Sequence, residues 1–331
     1  MQAIILAAGW GKRLQPITLT RSKAMAPILG KPIVERVMEN LAVNGVEEFV
    51  VVASPEDIEI TPYFEHESDL KGRVQLVYQE KRLGTAHALQ CAAHLIRGDF
   101  VLSACDNLVA RDQVARLLDI AQSSRRPNAV LTLMPVEPEQ VSRGAVVDME
   151  GPWVTRIVEK PKPEEALSNI YSLPLYCFSP AILEYLSDVR PSPRGEFEVQ
   201  DAIQMLIERE GRVSGVIIPD RLTLTKPEDL LTINRYYLEH ISPPIYFAPG
   251  TLGLNTHLIP PLHVDNGTVI GRNCHIGPYV YVERGCRVGD GVTIQNAVML
   301  RDSVVPDGAV VEEQVFSDAH SGSTAGGNPV Q

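Results

Sequence analysis

From residue 252 onward, apolar residues recur every six positions, and few folds tolerate that period. Leu252, Leu258, Val264, Ile270, Ile276, Val282, Val288, Ile294 and Leu300 lie on one phase. Four residues on, Thr256, Leu262, Thr268, Cys274, Val280, Cys286, Val292, Val298, Val304 and Val310 make a second row of small or apolar side chains. That spacing is the mark of a hexapeptide β-helix, in which each six-residue face turns one apolar residue inward and three faces close a coil of about 18 residues. Residues 252–316 then make roughly three to four coils.

The texture before residue 240 is different. Short β-rich runs at Ala3–Ala7, Phe49–Ala53, Val74–Val77, Phe100–Leu102 and Ala129–Leu133 alternate with amphipathic stretches at Ile33–Val43, Ala86–Leu95 and Gln113–Ala121. That alternation predicts a mostly parallel sheet covered by helices on both faces, with a ligand crevice at the carboxyl ends of its strands. Runs at Val154–Val158 and Tyr171–Phe178 lie among Pro-rich connections and are expected to add strands and loops over that end. Ser242-Pro243-Pro244 reads as a linker and Ser321–Pro329 as a flexible tail. The expected division is 1–241 for the α/β domain, 242–251 for the linker, 252–316 for the β-helix and 317–331 for the tail.

With 30 basic and 41 acidic residues the formal charge is −11, which disfavours nucleic acid as a main partner. An anionic substrate must instead meet a local group of cations, and Lys12, Arg13, Arg21, Lys23 and Lys31 supply one. No apolar run reaches the ~18 residues of a membrane span, and the start lacks a secretory signal, so no membrane partner and a cytoplasmic location are expected. The five cysteines are odd in number and form no C-x-x-C pair, which suits packing residues in a reducing compartment.

Directly after the first strand comes Leu6-Ala-Ala-Gly-Trp-Gly-Lys-Arg-Leu14. Small residues at 7–9 and Gly11 let backbone N–H groups approach a polyphosphate, and Lys12 and Arg13 add charge at the same point. It is not a Walker A loop, which needs G-x-x-x-x-G-K-[ST], and Leu14 stands where the dinucleotide fingerprint has its third glycine. Taken alone, Gly9 and Gly11 also suit a plain tight turn, Arg13 and Lys23 solvated loop cations, Asp106 a capping residue, and Glu159-Lys160 a surface ion pair.

Together with Lys23-Ala-Met-Ala-Pro27, Gly30-Lys-Pro32, Gln79, Leu83-Gly-Thr-Ala-His-Ala88, Asp106, Glu159-Lys-Pro161, Asn169 and Gly195–Asp201, the loop resembles the signature of the sugar-1-phosphate nucleotidylyltransferases. The likeness spans nearly the whole chain. It implies a doubly wound mixed α/β sheet, nucleotide-diphospho-sugar transferase-like, followed by a short left-handed parallel β-helix. It also implies that a nucleoside triphosphate and a sugar 1-phosphate give an NDP-sugar and pyrophosphate. Two anions must meet in that reaction, so the protein's work is positioning and charge neutralisation. On the resemblance, Arg13 steadies the departing pyrophosphate and Lys23 neutralises the α-phosphate and the incoming oxygen. Leu6, Ala8, Gly9, Gly11, Lys12, Gln79, Gly84 and Thr85 bind the nucleotide, and Asp106 holds Mg²⁺. Gly144, Glu159, Lys160 and Asn169 bind the sugar phosphate. Gln79 and the Leu83–Ala86 turn resemble a uracil or thymine pocket, which favours UTP or dTTP over purine nucleotides, and a glucose-like hexose 1-phosphate is the expected acceptor.

The pattern also breaks. Where the family has an aspartate in Trp-x-Asp-x-Gly-Thr-Pro, this chain has Arg221-Leu-Thr-Leu-Thr-Lys-Pro227, so Thr223 replaces a second metal-site carboxylate. Ser22, Cys105 and Pro174 also depart from the common residues, and Pro174 removes an N–H donor from the sugar pocket. These breaks suit an alternative: a weak or inactive relative that binds nucleotide or NDP-sugar as a regulatory or assembly subunit. A third reading makes the β-helix an acyltransferase with a base among His257, His263 and His275. Exposed coil ends require covering, so a homo-oligomer is expected.

Overall fold

The computed structural model describes residues 1–166 and 168–318, so the expected tail, apart from residues 317 and 318, lies outside the described residues. The chain divides into two compact units: Met1–Gly9 with Val34–Leu222, and Trp10–Ile33 with the residues from Thr223 on. Among the described residues no helix is long and apolar enough to cross a membrane.

The first unit is built on nine strands: β1 (Gln2–Leu6), β2 (Glu48–Ala53), β3 (Val74–Tyr78), β4 (Phe100–Ala104), β5 (Ala129–Pro135), β6 (Ala145–Glu150), β7 (Trp153–Glu159), β8 (Ile170–Phe178) and β9 (Val213–Ile217). Their order is β3-β2-β1-β4-β8-β5-β9-β7-β6, with β6 also pairing β8. The β3-β2-β1-β4 half is parallel, and the β5–β9 pair is parallel too. The rest is antiparallel, so the sheet is mixed. β1 lies inside the sheet, and Ala3, Ile4 and Ile5 are fully buried, as a continuous apolar run in a two-sided sheet requires. Helix Ile33–Ala42 buries Ile33, Val34, Val37, Met38 and Leu41, a stripe at helical spacing.

One expectation needs correcting. The runs at 154–158 and 171–178 are strands of the main sheet, not a cover over its end, and β8 sits between β4 and β5. Leu173, Tyr176 and Phe178 on β8 are almost wholly buried, so that segment can only lie inside the sheet. The register against β5 slips between Leu173 and Tyr176, where Pro174 lies. A residue without an N–H is tolerated in an interior strand at such an irregularity.

The strands after Ser242 form three parallel sheets of five, four and four strands. Each strand pairs with one further along the chain, as in Leu262 with Val280 and His275 with Thr293. That arrangement is compatible with a β-helix. The stack starts before the sixfold period does, since Ile245–Phe247 pairs with Leu262–Val264. The period also breaks near its far end: Val280 pairs with Ala297, Val288 with Val305 and Ile294 with Val311, one residue short of the earlier spacing. Asn296, at φ 47°, turns the corner where the residue is missing. Ala297, Met299, Val305 and Val311 therefore join the stack core, while Val304 and Val310, expected inside, are exposed.

Val305→Ala and Val311→Ala are each expected to cost about 1–3 kcal/mol. Val304→Thr and Val310→Thr should stay within about 0.5 kcal/mol. Thermal or urea unfolding of the four variants checks the shifted phase; equal losses at all four would restore the unbroken period.

Candidate functional site

Within the sheet unit, the expected nucleotide residues leave the sheet at one edge. Leu6 is in register with Val52 on one side and Ala104 on the other. Beyond these pairs the Ala7 N–H donates to Val52 O (2.8 Å), the Cys105 N–H to Leu6 O (3.2 Å) and the Gln79 N–H to Ala53 O (2.8 Å). Ala7–Gly9, Gln79 and Cys105-Asp106 thus all follow the carboxyl ends of parallel strands, the edge where open α/β sheets bind ligands. A methyl group at Gly9 would meet no atom within 4 Å, so packing inside the protein does not call for glycine there.

Gln79 is buried, and its Nε2 donates to Gly84 O (3.1 Å) and faces His87 Nδ1 (2.9 Å). Those bonds leave Oε1 as an acceptor at the start of the next helix, Thr85–Ala92. Gly84 has φ 116°, and a Cβ on it would lie 2.5 Å from Phe197 O and 2.6 Å from Phe197 N. The turn is zipped to that segment: the Phe197 N–H donates to Leu83 O (2.7 Å), the Ala86 N–H to Phe197 O (2.9 Å), and the Val199 N–H to Thr85 Oγ1 (2.9 Å). Glycine at 84 is thus required by a close backbone approach as well as by its dihedral.

A second cluster gathers residues expected to bind the sugar phosphate. The Lys160 N–H donates to Gly144 O (3.0 Å), and Glu159 is paired with both Lys160 Nζ (3.2 Å) and Arg194 Nη2 (3.6 Å). Burial pushes the Glu159 carboxyl above the usual range against the pull of Lys160, and the Glu198 charge adds to the rise. Arg194 also binds Glu198 (2.6 Å), and the Tyr171 ring packs over Gly144. Lys160 has φ 47°, a left-handed conformation rare for a long side chain. Asn169 stands at the entry to β8, its Nδ2 bound to Val136 O (2.7 Å). Glu198 and Asp201 lie at the N-terminal end of helix Val199–Arg209, the place their charge favours.

Asp106 follows β4 and is nearly buried. Its neighbour Asn107 accepts a hydrogen bond from Arg221 Nη1 (2.7 Å) on Oδ1, while the buried Asn107 Nδ2 has no partner. Burial lowers the Arg221 pKa, and the charge of Asp106 opposes that fall. The sequence marks position 221 only as a lost tryptophan; an arginine replacing an aromatic beside a candidate metal residue is the signal it offers. One carboxylate beside a guanidinium fits a divalent ion that takes most of its ligands from water and substrate phosphates. Among the described residues, the three-carboxylate group spaced for a metal is elsewhere, at Glu35, Glu39 and Asp69. Glu35 there accepts the Tyr63 hydroxyl and the Asp69 N–H (3.2 Å), so its charge is used internally.

In the second unit, Gly11 has φ 82°, and a Cβ on it would lie 2.9 Å from both Lys23 Cβ and Leu14 Cδ1. Arg13 and Lys12 are exposed on the short turn that follows. The Lys23 N–H donates to Trp10 O (3.1 Å), so the structure brings the Gly11 turn and Lys23 together. Trp10 donates its indole N–H to Thr18 O (3.0 Å). Arg21 is not available to a ligand: it is buried against Glu283 (2.6 Å).

A model of the nucleotidyl transferase family matches residues 2–239. The chain belongs to that family. The GMPPB C-terminal domain matches residues 258–321. A bifunctional protein GlmU of Methanococcus maripaludis is 32% identical over 82% of this chain, which spans 62% of that relative's length. UTP–glucose-1-phosphate uridylyltransferase AglF of Haloferax volcanii is 36% identical over 69% of this chain and 93% of its own. A glucose-1-phosphate thymidylyltransferase of Streptomyces griseus is 31% identical over 85% of this chain and 77% of its own. A UDP-glucose pyrophosphorylase solved with UDP-glucose shares the fold, with a TM-score of 0.65 at 22% identity over 72% of this chain and 98% of its own. Nucleotidyl transferases of this kind generally use divalent metal ions.

In this family member, Gly84→Ala is expected to destabilise the sheet unit by at least about 1–3 kcal/mol, because it sets a side chain in a strained dihedral against the Phe197 backbone. The urea midpoint reports the loss; an unchanged midpoint would mean that the turn can separate from Phe197 at no cost.

Proposed function

We propose that the chain transfers a nucleotidyl group from a pyrimidine nucleoside triphosphate, UTP or dTTP, to a sugar 1-phosphate, most simply a glucose-like hexose 1-phosphate. The observation that carries this reading is the Gln79–Gly84 turn, emerging at the same sheet edge as the Gly9 loop and Asp106. A pyrimidine imide offers one N–H between two carbonyls. Gln79 Oε1, left as an acceptor, suits the imide N–H, and backbone N–H groups of the Gly84 turn suit a carbonyl.

In the reaction, an oxygen of the sugar phosphate attacks the α-phosphorus in line. A new P–O bond forms, and the bond to the β-phosphate oxygen breaks, leaving with its electron pair in pyrophosphate. Arg13 takes up the charge gathering on the leaving β- and γ-phosphates, and Lys12 and the N–H groups of Ala8, Gly9 and Gly11 also bind the triphosphate. Lys23 neutralises the α-phosphate and the attacking oxygen. Lys160 grips the sugar phosphate, and Glu159 accepts hydrogen bonds from sugar hydroxyls, with Gly144 and Asn169 shaping the pocket. Asp106 would hold the divalent ion, Mg²⁺, which when bound supplies charge neutralisation at the phosphates. Arg221, bonded to Asn107, brings a guanidinium to the Asp106 end of the sheet. We read the C-terminal stack as a short left-handed β-helix that begins at Ile245–Phe247, inside the segment expected to be a linker, and the protein as a homo-oligomer.

The Arg221–Asn107 contact also favours a second reading, binding of nucleotide or NDP-sugar without turnover, because a guanidinium beside Asp106 competes with a cation. A pyrophosphate-release assay over UTP, dTTP, GTP and ATP with a panel of sugar 1-phosphates decides between them. Arg13→Ala and Lys23→Ala should each lower kcat/KM by about 10²-fold or more, roughly 2.7 kcal/mol of transition-state stabilisation. Binding without release at any Mg²⁺ concentration would select the second reading.

The raised Glu159 pKa adds a pH dependence. The folded state takes up this proton before the unfolded state does, so the group's contribution to stability grows as pH falls through the raised value and is lost as pH rises. Its acceptor role runs the other way: KM for the sugar phosphate should climb on acidification with a midpoint above that of an ordinary glutamate. The same midpoint in Glu159→Gln would assign the titration to another group.

A further inference from the structure

The segment that carries Arg13 and Lys23 is folded on itself and then fastened to the C-terminal stack. Inside the segment, Thr18 Oγ1 donates to Gly11 O (3.0 Å), and the Trp10 and Lys23 bonds described above tie both ends of the turn. Between them, Arg21 reaches across 262 positions of sequence to Glu283, with both side chains nine-tenths or more buried. Glu283 is fixed in turn: its second carboxylate oxygen accepts the Arg301 N–H (2.8 Å), and Arg301 Nη2 donates to Thr20 O (2.9 Å). Further along, the Gly30 N–H donates to Tyr281 Oη (3.1 Å), and that hydroxyl donates to Asp265 Oδ2 (2.7 Å). Asn234 of helix Pro227–Glu239 accepts the Leu29 N–H and donates to Pro27 O, each at 3.2 Å.

The stack residues in these contacts follow its repeat. His263 and Tyr281 are register partners in adjacent coils, and Asp265 and Glu283 each follow their strand by one position. One sheet of the stack therefore presents a row of polar groups to the segment. Arg21 is the most constrained member: Nε and Nη2 are buried without a hydrogen-bond partner, and Glu283 supplies its ion pair. A buried guanidinium so dependent on one carboxylate fixes where its backbone runs, because moving it would strand a charge.

We propose that Glu283 is a positioning residue for nucleotidyl transfer: acting through Arg21, it holds the turn bearing Arg13 and Lys23 in the conformation that receives the triphosphate. This rests on the function proposed above. The C-terminal stack is then part of the catalytic apparatus as well as an assembly surface.

The test uses the full chain with Arg21→Met and Glu283→Gln combined. Removing both charges avoids an unpaired buried ion, and the carbonyl oxygen of the introduced glutamine side chain can still accept the Arg301 N–H, so the variant should fold. Hydrogen exchange of the Leu14, Lys23 and Met25 amides should accelerate at least tenfold while the Ala3–Leu6 amides stay as in wild type. kcat should fall at least tenfold, with uridine affinity by calorimetry unchanged and UTP affinity reduced, since only the phosphates reach Lys23 and Arg13. Added to the Arg13→Ala, Lys23→Ala double variant, the pair should cost far less than it does alone, because the groups it positions are gone. Unchanged exchange overturns the proposal, and so does faster exchange with wild-type kcat and UTP affinity, which would make the contact merely structural. If wild type itself releases no pyrophosphate with any substrate pair, the function reading falls, while the exchange and UTP/uridine arms still decide whether Glu283 holds the turn.

Discussion

Strand β1 organises the sheet unit because it is hydrogen-bonded on both sides by parallel partners. Its five residues pair with Glu48–Val52 on one flank and Phe100–Ala104 on the other. Parallel strands aligned in register share a carboxyl edge, and whatever follows them is delivered to the same place. The Gly9 loop, Gln79 and Asp106 come from three separate stretches of sequence and arrive together for that reason alone. A slip of one residue at β1 would move Ile4 to the opposite face of the sheet and carry the Gly9 loop away from Gln79 and Asp106.

Much of this was legible beforehand, for identifiable physical reasons. Continuous apolar runs such as Ala3–Ile5 announce buried parallel strands, and the sixfold spacing announces a stack of short strands, because both are local periodicities. β8 was harder to place. Its run of buried residues specifies a strand but not its neighbours, and only long-range pairing seats it between β4 and β5. The phase shift after Ile294 escaped for a related reason: Val298, Val304 and Val310 continue the apolar row even though the repeat has lost a residue at Asn296. Hydrophobicity alone cannot tell an inward valine from an outward one when both positions hold valine.

Candidate site residues were legible as motifs but not as partners. Nothing in the sequence joins Arg21 to Glu283 or Asn107 to Arg221, since ion pairs and side-chain hydrogen bonds leave no periodic trace. The cation count of the N-terminal segment misled on one point, because Arg21 is spent on a buried contact. The replacement of an aromatic by Arg221 gained meaning only once that side chain was seen against Asn107.

The Arg21–Glu283 contact changes how modular this protein is. Composition marks an obvious seam near residue 242, where a designer would cut the gene to obtain an α/β half and a half of stacked strands. Such fragments would not be independent pieces. The first would carry an arginine built for an acid it no longer possesses, and the second would expose a ledge of acidic and phenolic groups shaped for a loop it lacks. The working module is discontinuous in the gene, so shuffling or fusion within this architecture succeeds only when both segments travel together.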